Sequence, residues 1–476
     1  MDTTLPLPPN PRSKWRKVLV GLGLFALTAW GLVALFGHLG TIKWERYAAE
    51  LRARGEPLTF VEIQARREVV LPERNGALVI EDLLRKGVKI QDSGVDPHIL
   101  VFGGTSSHFD LFFGVPKYTI EPSREFRDRH RANLEALAAL RDKPTGRFEF
   151  QVDENPLKTL LPHLAPLRGL SKLLTLDGTL KLADGDVNGA IDNLPLHWNL
   201  SATLGDEPTL ISQLVRIAIE AQALGAMESI LRTAVVTDEQ VTQMAGFLPA
   251  APADQSFRFG LWGERAFFVE SCELMEEGQL SSAAVMTAAT EDPMAKPVLG
   301  LPRFVLRSNQ LRGTKMYARL IDALKTTGNV LKTAETLENE TENLGFTQVV
   351  VRAMFPNFSR AMVIHLGRTA FRDCARTALA AERFRLATGD FPKALEELVP
   401  KFLAAVPADP FDGKPLRYKA GEHGVTIYSI DGNLIDDGGN VDPPRGRKEQ
   451  DRDTGFRLFH SARRVVRLTD ETPPTD

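Results

Sequence analysis

An uncharged run of nineteen residues, VLVGLGLFALTAWGLVALF at positions 18–36, constrains this chain more than any other feature. As a helix it would be about 28 Å long, close to the ~30 Å hydrocarbon core of a bilayer. The run is longer than the apolar region of a cleavable signal peptide, and GHLGTIKWER after it offers no small-x-small cleavage site. We therefore predict a transmembrane helix at residues 18–36, preceded by a cytoplasmic tail at residues 1–17.

Orientation is predicted from the basic residues beside this run. Four precede it and four follow it within a similar distance, so their number alone does not decide the direction. Arg16 and Lys17 adjoin the run directly, whereas six uncharged residues separate it from Lys43, which favours a cytoplasmic N-terminus. The expected location is the bacterial inner (cytoplasmic) membrane, crossed once, with the bulk of the chain on the periplasmic or extracytoplasmic side.

Composition excludes some partners and scaffolds. The 476 residues are 43% hydrophobic, as in an ordinary folded protein, and 58 basic against 61 acidic residues leave a net charge of -3. No basic excess points to nucleic acid, so no nucleic-acid partner is expected. Two cysteines, Cys272 and Cys374, are too few for a disulfide scaffold or a cysteine-built zinc site, and two buried free thiols are favoured over a pair.

Residues 41–350 are predicted to form a mostly helical exported domain with a few strands. Between residues 164 and 232, leucine and alanine recur at three- and four-residue spacing, with short Gly/Asp turns such as ADGDVNGA. The helix pair from Leu170 to about Leu200 resembles a tetratricopeptide-like pair, but no fixed period follows it, which favours a plain helical bundle. Period-two alternation in GRFEFQVD and SFRFGLW predicts two half-buried strands.

No familiar enzyme motif is present: the chain lacks GxSxG, GxxxxGK[ST], GxGxxG and HExxH. One acidic cluster, Glu270, Glu273, Glu276 and Glu277, places Glu270, Glu273 and Glu277 on one helical face. Because no histidine follows at i+3, as di-iron bundles require, a solvated face is favoured over a catalytic site. A non-enzymatic protein is therefore predicted, with a membrane-anchored hydrolase that uses these carboxylates as the alternative.

The C-terminal third reads as a compact series of elements. A long helix is predicted from Asn357 to Thr388 and ends at Gly389, with a short helix in KALEELVP after it. The turn PADPFDGKP, two strands in LRYKA and GVTIYSI, and the acidic loop YSIDGNLIDDGGNVD follow. Residues 443–476 are predicted to be a polar, largely disordered tail, with GFRLFHSARRVVRL as a candidate last strand or helix.

The ordered motifs RFRLATGDFPKALEELV, DPFDGKPLRYK and IYSIDGNLIDDGG resemble the globular domain of the G-type major pseudopilin of type II secretion, over about residues 372–442. The resemblance implies a small α+β domain at residues 356–442, in which a long helix packs on a short antiparallel sheet. The membrane segment lies far upstream and lacks the pseudopilin processing site. We therefore expect a pseudopilin-like domain on a larger anchored protein rather than a fibre subunit.

The same resemblance implies that the acidic loop binds calcium. Calcium takes six to eight oxygen ligands, and glycines allow a loop to turn its carbonyls inward. By position, Asp431 matches the family's first acidic ligand, and Asp436, Asp437 and Asp442 compete for the second role. A hydrated turn rich in Asp, Asn and Gly is the alternative.

Taken together, the sequence predicts a non-enzymatic, membrane-anchored cell-envelope protein whose work is protein–protein interaction, linked to secretion or pilus-type machinery. Its expected partners are the bilayer, through residues 18–36, and other envelope proteins. A helical scaffold that uses the helices between Leu170 and Leu231 as a groove is a further alternative.

Overall fold

The computed structural model describes residues 11–88, 90, 99–100, 114–153, 156–248, 254–281, 301–325, 329–441 and 452–470. The chain is mostly helical with few strands and begins with a long apolar helix, as predicted. Its α-helices are α1 (Pro11–Ala53), α2 (Phe60–Gln64), α3 (Ala77–Arg85), α4 (Ile120–Arg129), α5 (Arg131–Ala138), α6 (Leu164–Ala183), α7 (Val187–Ala202), α8 (Leu210–Thr233), α9 (Asp238–Phe247), α10 (Asp254–Glu276), α11 (Arg303–Ala323), α12 (Val330–Glu342), α13 (Val349–Met354) and α14 (Phe358–Thr388).

In the part of the chain that the structure describes, five strands form two small sheets. The strands are β1 (Val115–Pro116), β2 (Arg417–Gly421), β3 (Gly424–Ser429), β4 (Thr454–Phe459) and β5 (Leu468–Thr469). β1 pairs with β5 in parallel, and β2, β3 and β4 form an antiparallel sheet in that order. The two strands predicted in LRYKA and GVTIYSI are therefore confirmed as the β2–β3 pair.

Helix α1 continues without interruption from the apolar run to Ala53. Its most apolar window has a mean hydropathy of 2.3 and is 0% buried within the protein, which is compatible with a membrane anchor. Beyond this window the helix changes character, because Trp44, Ala48 and Leu51 are buried. Helix α1 thus contains both an exposed apolar segment and a packed segment. It ends just before Gly55, where φ is +77°.

The chain divides into two compact units. Unit 1 comprises Met1–Thr59, Arg265–Tyr317 and Glu340–Pro356, and unit 2 comprises Phe60–Glu264, Ala318–Asn339 and Asn357–Asp476. In unit 1, α1 and α11 run parallel, since Gly37 lies beside Arg303, Gly40 beside Arg307, and the Lys315 ammonium 5.2 Å from the Tyr47 ring. A Cβ added to Gly40 would lie 3.2 Å from the Arg307 Cβ, so glycine permits this close helix contact.

The interior of unit 1 combines a buried ion pair with stacked rings. Arg265 is fully buried and donates to Glu56 at 2.9 Å and to the Pro57 carbonyl at 2.7 Å. The Phe268 and Tyr317 rings lie 5.9 Å apart, and the Tyr317 and Phe355 rings 5.1 Å apart. These contacts hold the segment after α1 against α10, and α10 against α11.

Unit 2 is built around the bundle of α6, α7 and α8, the arrangement favoured by the leucine pattern. All three helices are buried over much of their length, with α6 and α7 joined by the turn at Gly185 (φ +82°). Asp186 caps α7, and Thr237 and Gln240 form a capping box at the start of α9, a pattern that is visible in the sequence TDEQ. The bundle core continues into the C-terminal part of the chain.

Helix α14 links the bundle to the antiparallel sheet. It packs on α8 on one side and on β3 and β4 on another, through small residues such as Cys374, Ala375 and Ala378 that are fully buried. One continuous hydrophobic core therefore includes residues from both α6–α8 and β3–β4. The segment we delimited at residues 356–442 shares this core with residues 164–248.

Two predicted strands are wrong. SFRFGLW lies inside α10, where Phe257 and Leu261 are both fully buried one helical turn apart. Over so few residues, the apolar face of a helix gives the same pattern of apolar residues as an alternating strand. GRFEFQVD shows the expected alternating burial but pairs with no strand among the described residues. Side chains bond its carbonyls instead: Asn75 to Arg147 at 3.1 Å, Arg67 to Phe148 at 3.3 Å and Gln64 to Phe150 at 2.9 Å.

The predicted polar tail supplies part of the fold within residues 452–470. Thr454–Phe459 is β4, and Phe456 and Leu458 are fully buried. Arg464 is buried and donates to both oxygens of the buried Glu382 on α14, at 2.7 and 2.6 Å. A segment whose sequence is charged is thus held by a bidentate buried ion pair, which residue composition does not reveal.

Candidate functional site: the acidic loop and a cavity beside α7

The DPFDG turn ahead of β2 is organised by Asp409, a residue that sequence reasoning did not single out. Its carboxylate is fully buried and accepts from the Phe411 amide at 3.0 Å, the Ser429 hydroxyl at 2.9 Å and the Ile430 amide at 3.1 Å. Arg417 bridges Asp409 to Asp412. Asp409, Arg417 and Ser429 therefore connect the turn to the end of β3, which is a structural role.

Asp431 begins the acidic loop in a left-handed conformation, with φ +54°. Its Oδ1 accepts from the Gly432 amide at 2.6 Å, and its Oδ2 accepts from the Thr454 hydroxyl at the start of β4. A Cβ added to Gly432 would lie 2.5 Å from the Val363 side chain of α14. The first predicted calcium ligand is thus used to hold the loop against β4, and glycine permits its contact with α14.

Asp436 and Asp437 lie near a third carboxylate, Asp453, that was not predicted. Asp436 accepts from the Tyr428 hydroxyl at 3.2 Å and the Gly438 amide at 2.9 Å. Asp453 is buried and accepts from the amides of Asp437, at 3.3 Å, and Gly439, at 2.8 Å. Burial, and then repulsion by the other two carboxylates, raises the pKa of Asp453.

Three of the described carboxylates in and beside the loop accept hydrogen bonds from within the protein. Asp431 uses both oxygens in hydrogen bonds, Asp453 accepts two amides, and Asp437 accepts from Asn433 at 2.9 Å. Within the described ranges, no three His, Cys, Asp or Glu side chains are placed to share one metal ion. The remaining predicted ligand, Asp442, lies outside the described residues, so calcium binding stays a prediction.

The glutamates of the alternative catalytic site have structural partners in unit 1. Glu276 pairs with Arg303 at 2.5 Å and Arg307 at 2.8 Å. Glu273 is partly buried, which raises its pKa, and accepts from Gln310 at 3.2 Å. Paired carboxylates of this kind support helix packing.

Two histidines of the helical bundle are packed residues. His163 stacks on Phe148 with ring centroids 4.2 Å apart, and its Nε2 lies 3.0 Å from the fully buried Glu207. Burial lowers the pKa of His197 to about 3, so this imidazole is neutral at physiological pH. Its Nδ1 lies 3.1 Å from the Ser171 hydroxyl, but both side chains are almost fully buried and inaccessible to a substrate.

A cavity of about 400 Å³ opens on the surface of unit 2, between α7, α9 and the turn after α5. Apolar groups from both helices line it together with polar side chains; the lining residues are Arg141, Asp192, Pro195, Trp198, Asn199, Gln243, Gly246 and Phe247.

The cavity walls are held by a few specific contacts. Asn199 donates to the Leu140 carbonyl at 2.7 Å, and Gln240 of α9 donates to Asn188 of α7 at 2.7 Å. Pro195 lies inside α7 and has no amide hydrogen, so the carbonyl one turn before it lacks its usual helical donor. The buried indole nitrogen of Trp198 has no hydrogen-bond partner among the described residues. The cavity therefore places aromatic surface beside polar groups.

No protein-family model, curated protein or solved structure matches this chain.

Proposed function

We propose that this protein is a non-enzymatic, single-pass protein of the bacterial cell envelope that binds another envelope protein through the cavity between α7 and α9. The cavity carries this proposal, because aromatic surface from Trp198 and Phe247 lies beside the polar groups of Arg141 and Gln243. Interfaces are enriched in aromatic residues and arginine at their centres. The bare apolar window of α1 supports the anchoring part of the proposal.

The identity of the membrane and the side on which the protein lies are proposed from the sequence alone. The cytoplasmic membrane, the extracytoplasmic side and a link to secretion or pilus-type machinery follow from the basic residues before the apolar run and from the pseudopilin resemblance of residues 372–442. The packing of α14 on the antiparallel β2–β3–β4 sheet agrees in outline with the domain that the resemblance implies.

Site-specific photo-crosslinking in living cells tests the binding proposal. We expect a photoreactive residue in place of Gln243, which is exposed at the cavity, to give a discrete crosslinked product with one partner protein. The same residue in place of Glu335, exposed on α12, is the control and should give none. Phe247→Asp, which adds charge to the apolar lining, should abolish the product at position 243.

Three outcomes would contradict the proposal: no product at position 243, the same products at position 335, or a product that persists in Phe247→Asp. Protease added to intact spheroplasts tests the orientation separately. Cleavage of the chain beyond residue 36 is expected, and a fully protected chain would reverse the predicted topology.

A further inference from the structure

The contacts between α1 and α11 show how far residues of unit 1 lie from the end of the apolar run, measured along the axis of α1. Gly37, one residue after the run, lies beside Arg303 at the start of α11, and Gly40 lies beside Arg307. Since a helix rises about 1.5 Å per residue, Arg303 lies at the end of the apolar run and Arg307 about 6 Å farther out. The headgroup layer of a bilayer is about 5–8 Å thick on each side. The first turns of α11 are therefore level with lipid headgroups if residues 18–36 span the bilayer.

An exposed aromatic residue lies at almost the same height. The Thr347 carbonyl accepts from Asn309 at 2.7 Å, and Gln348 donates to Ser308 at 2.9 Å, so the segment at 346–348 is fixed to α11 just beyond Arg307. The preceding residue, Phe346, is 88% exposed. A phenylalanine this exposed is unfavourable in water, whereas an aromatic ring is stable at the membrane interface.

Charge at this end of unit 1 also suits a lipid surface. The Arg303 side chain is 59% exposed, and a single carboxylate, Glu276, is shared between Arg303 and Arg307. Arg303 therefore presents an exposed guanidinium at this end of unit 1, and Glu273 also lies close enough to Arg307 to interact with its charge. Leu39 and Ile42 of α1, at the same level, are 41% and 39% exposed.

We propose that the membrane-proximal end of unit 1, where Leu39, Ile42, Arg303 and Phe346 are exposed, binds the headgroup layer of the bilayer. Arg303 contacts lipid phosphates, since a guanidinium matches phosphate geometry, and Phe346 packs among the headgroups. This inference rests on the proposed membrane anchoring. It adds a lipid-binding surface on the folded part of the protein, which would set the tilt of α1 and hold unit 1 against the membrane.

Spin-label accessibility in nanodiscs tests this surface in the full-length protein. The native Cys272 and Cys374 are buried and free, and burial raises the pKa of both thiols, so introduced cysteines react selectively. Labels are placed at Phe25→Cys in the apolar run, at Phe346→Cys, and at Ala53→Cys. Ala53 is exposed at the end of α1, about 25 Å beyond Phe36, and serves as the aqueous control.

In nanodiscs of phosphatidylcholine and phosphatidylglycerol, we expect the label at 346 to be shielded from a water-soluble nickel chelate relative to the label at 53. Nanodiscs of phosphatidylcholine alone should weaken this shielding. Arg303→Gln should reduce the population in contact with anionic lipid about fivefold, as for one basic residue at such a surface, and Arg303→Lys should retain most of it.

The outcomes separate the two proposals. If position 25 is shielded while position 346 is as accessible to nickel as position 53, the lipid-binding surface is refuted and the anchor stands. If position 25 is itself accessible, both the anchor and the surface that depends on it are refuted. If the label at 346 is shielded from nickel equally with and without anionic lipid, and equally in Arg303→Gln, the phosphate contact is refuted.

Discussion

Within the described residues, two helices are long and apolar enough to cross a membrane, and only one of them is exposed along its apolar window. The apolar window of α1 has a mean hydropathy of 2.3 and is 0% buried, whereas that of α8 has a mean hydropathy of 1.2 and is 61% buried. Helix α8 also carries Arg216 and Glu220, which are paired inside unit 2. Length and hydropathy therefore select both helices, and the presence of protein neighbours distinguishes a core helix from a membrane helix.

Arginine substitutions on the two helices should have opposite consequences. Leu224→Arg places an unpaired charge at a fully buried position of α8 and should cost more than about 4 kcal/mol, enough to unfold unit 2. Leu27→Arg on exposed α1 should cost about 2.5–3.5 kcal/mol of membrane insertion and leave the melting of unit 2 unchanged. Thermal melting by circular dichroism and carbonate extraction of membranes measure the two effects. If Leu224→Arg changed the carbonate extraction and left the melting of unit 2 unchanged, α8 would behave as a membrane helix and the distinction between the two helices would be refuted.

The buried charges of α8 should be necessary for folding rather than incidental. Glu220 lies 2.5 Å from Arg216 and 3.1 Å from Arg368 of α14. Glu220→Gln removes a carboxylate from buried arginines and should cost about 3–5 kcal/mol of unfolding free energy. Urea unfolding measures this loss, with Glu335→Gln on exposed α12 as the matched control, expected within about 0.5 kcal/mol of the unaltered protein. Equal effects at both positions would show that α8 does not depend on its ion pairs.

The same carboxylate predicts a pH dependence with a definite sign. Burial alone would raise the pKa of Glu220, but Arg216, Arg368 and Arg372 outweigh it, so the pKa is lowered from its ordinary value of 4.5. Its contribution to stability is therefore fully present well above that value and is lost as pH falls through the lowered pKa. The difference in unfolding free energy between the unaltered protein and Glu220→Gln should shrink between about pH 7 and pH 3. A constant difference would contradict this assignment.

The smallest expected effect distinguishes the bare and packed parts of α1. Gly40→Leu introduces a side chain whose Cβ would lie 3.2 Å from Arg307, and it should destabilise unit 1 by about 1–3 kcal/mol. Gly23→Leu, in the apolar run, meets nothing within 4 Å and should be tolerated. Limited proteolysis of membrane-embedded protein, at sites within residues 265–317, compares the two variants. Similar cleavage rates would mean that α1 and α11 are not in contact.

Local signals predicted the helical elements well. The capping box at Thr237, the helix end at Gly389 and the β2–β3 pair all follow from short patterns whose physics is local. The two wrong strands show the limit of such patterns. Phe257 and Leu261 are two residues of a helical stripe, and Phe148 and Phe150 lie in an extended segment bonded by side chains from residues 64–75.

The candidate site was less predictable. The loop's acidic residues were found from sequence, but Asp409 and Asp453 were missed, because each acts through partners far away in the chain. The cavity beside α7 also has no sequence signal, since its lining comes from α7, α9 and the turn at Arg141.

The sequence by itself determined that residues 18–36 are apolar over the thickness of a bilayer, because the absence of charge and the rise of a helix are properties of consecutive residues. Only the tertiary structure decided that α8 is a core helix, that Arg464 of the charged tail is buried against Glu382, and that Arg303 lies level with the end of the apolar run. These facts depend on burial and on pairing between distant residues. Burial and pairing arise only when separate segments pack together.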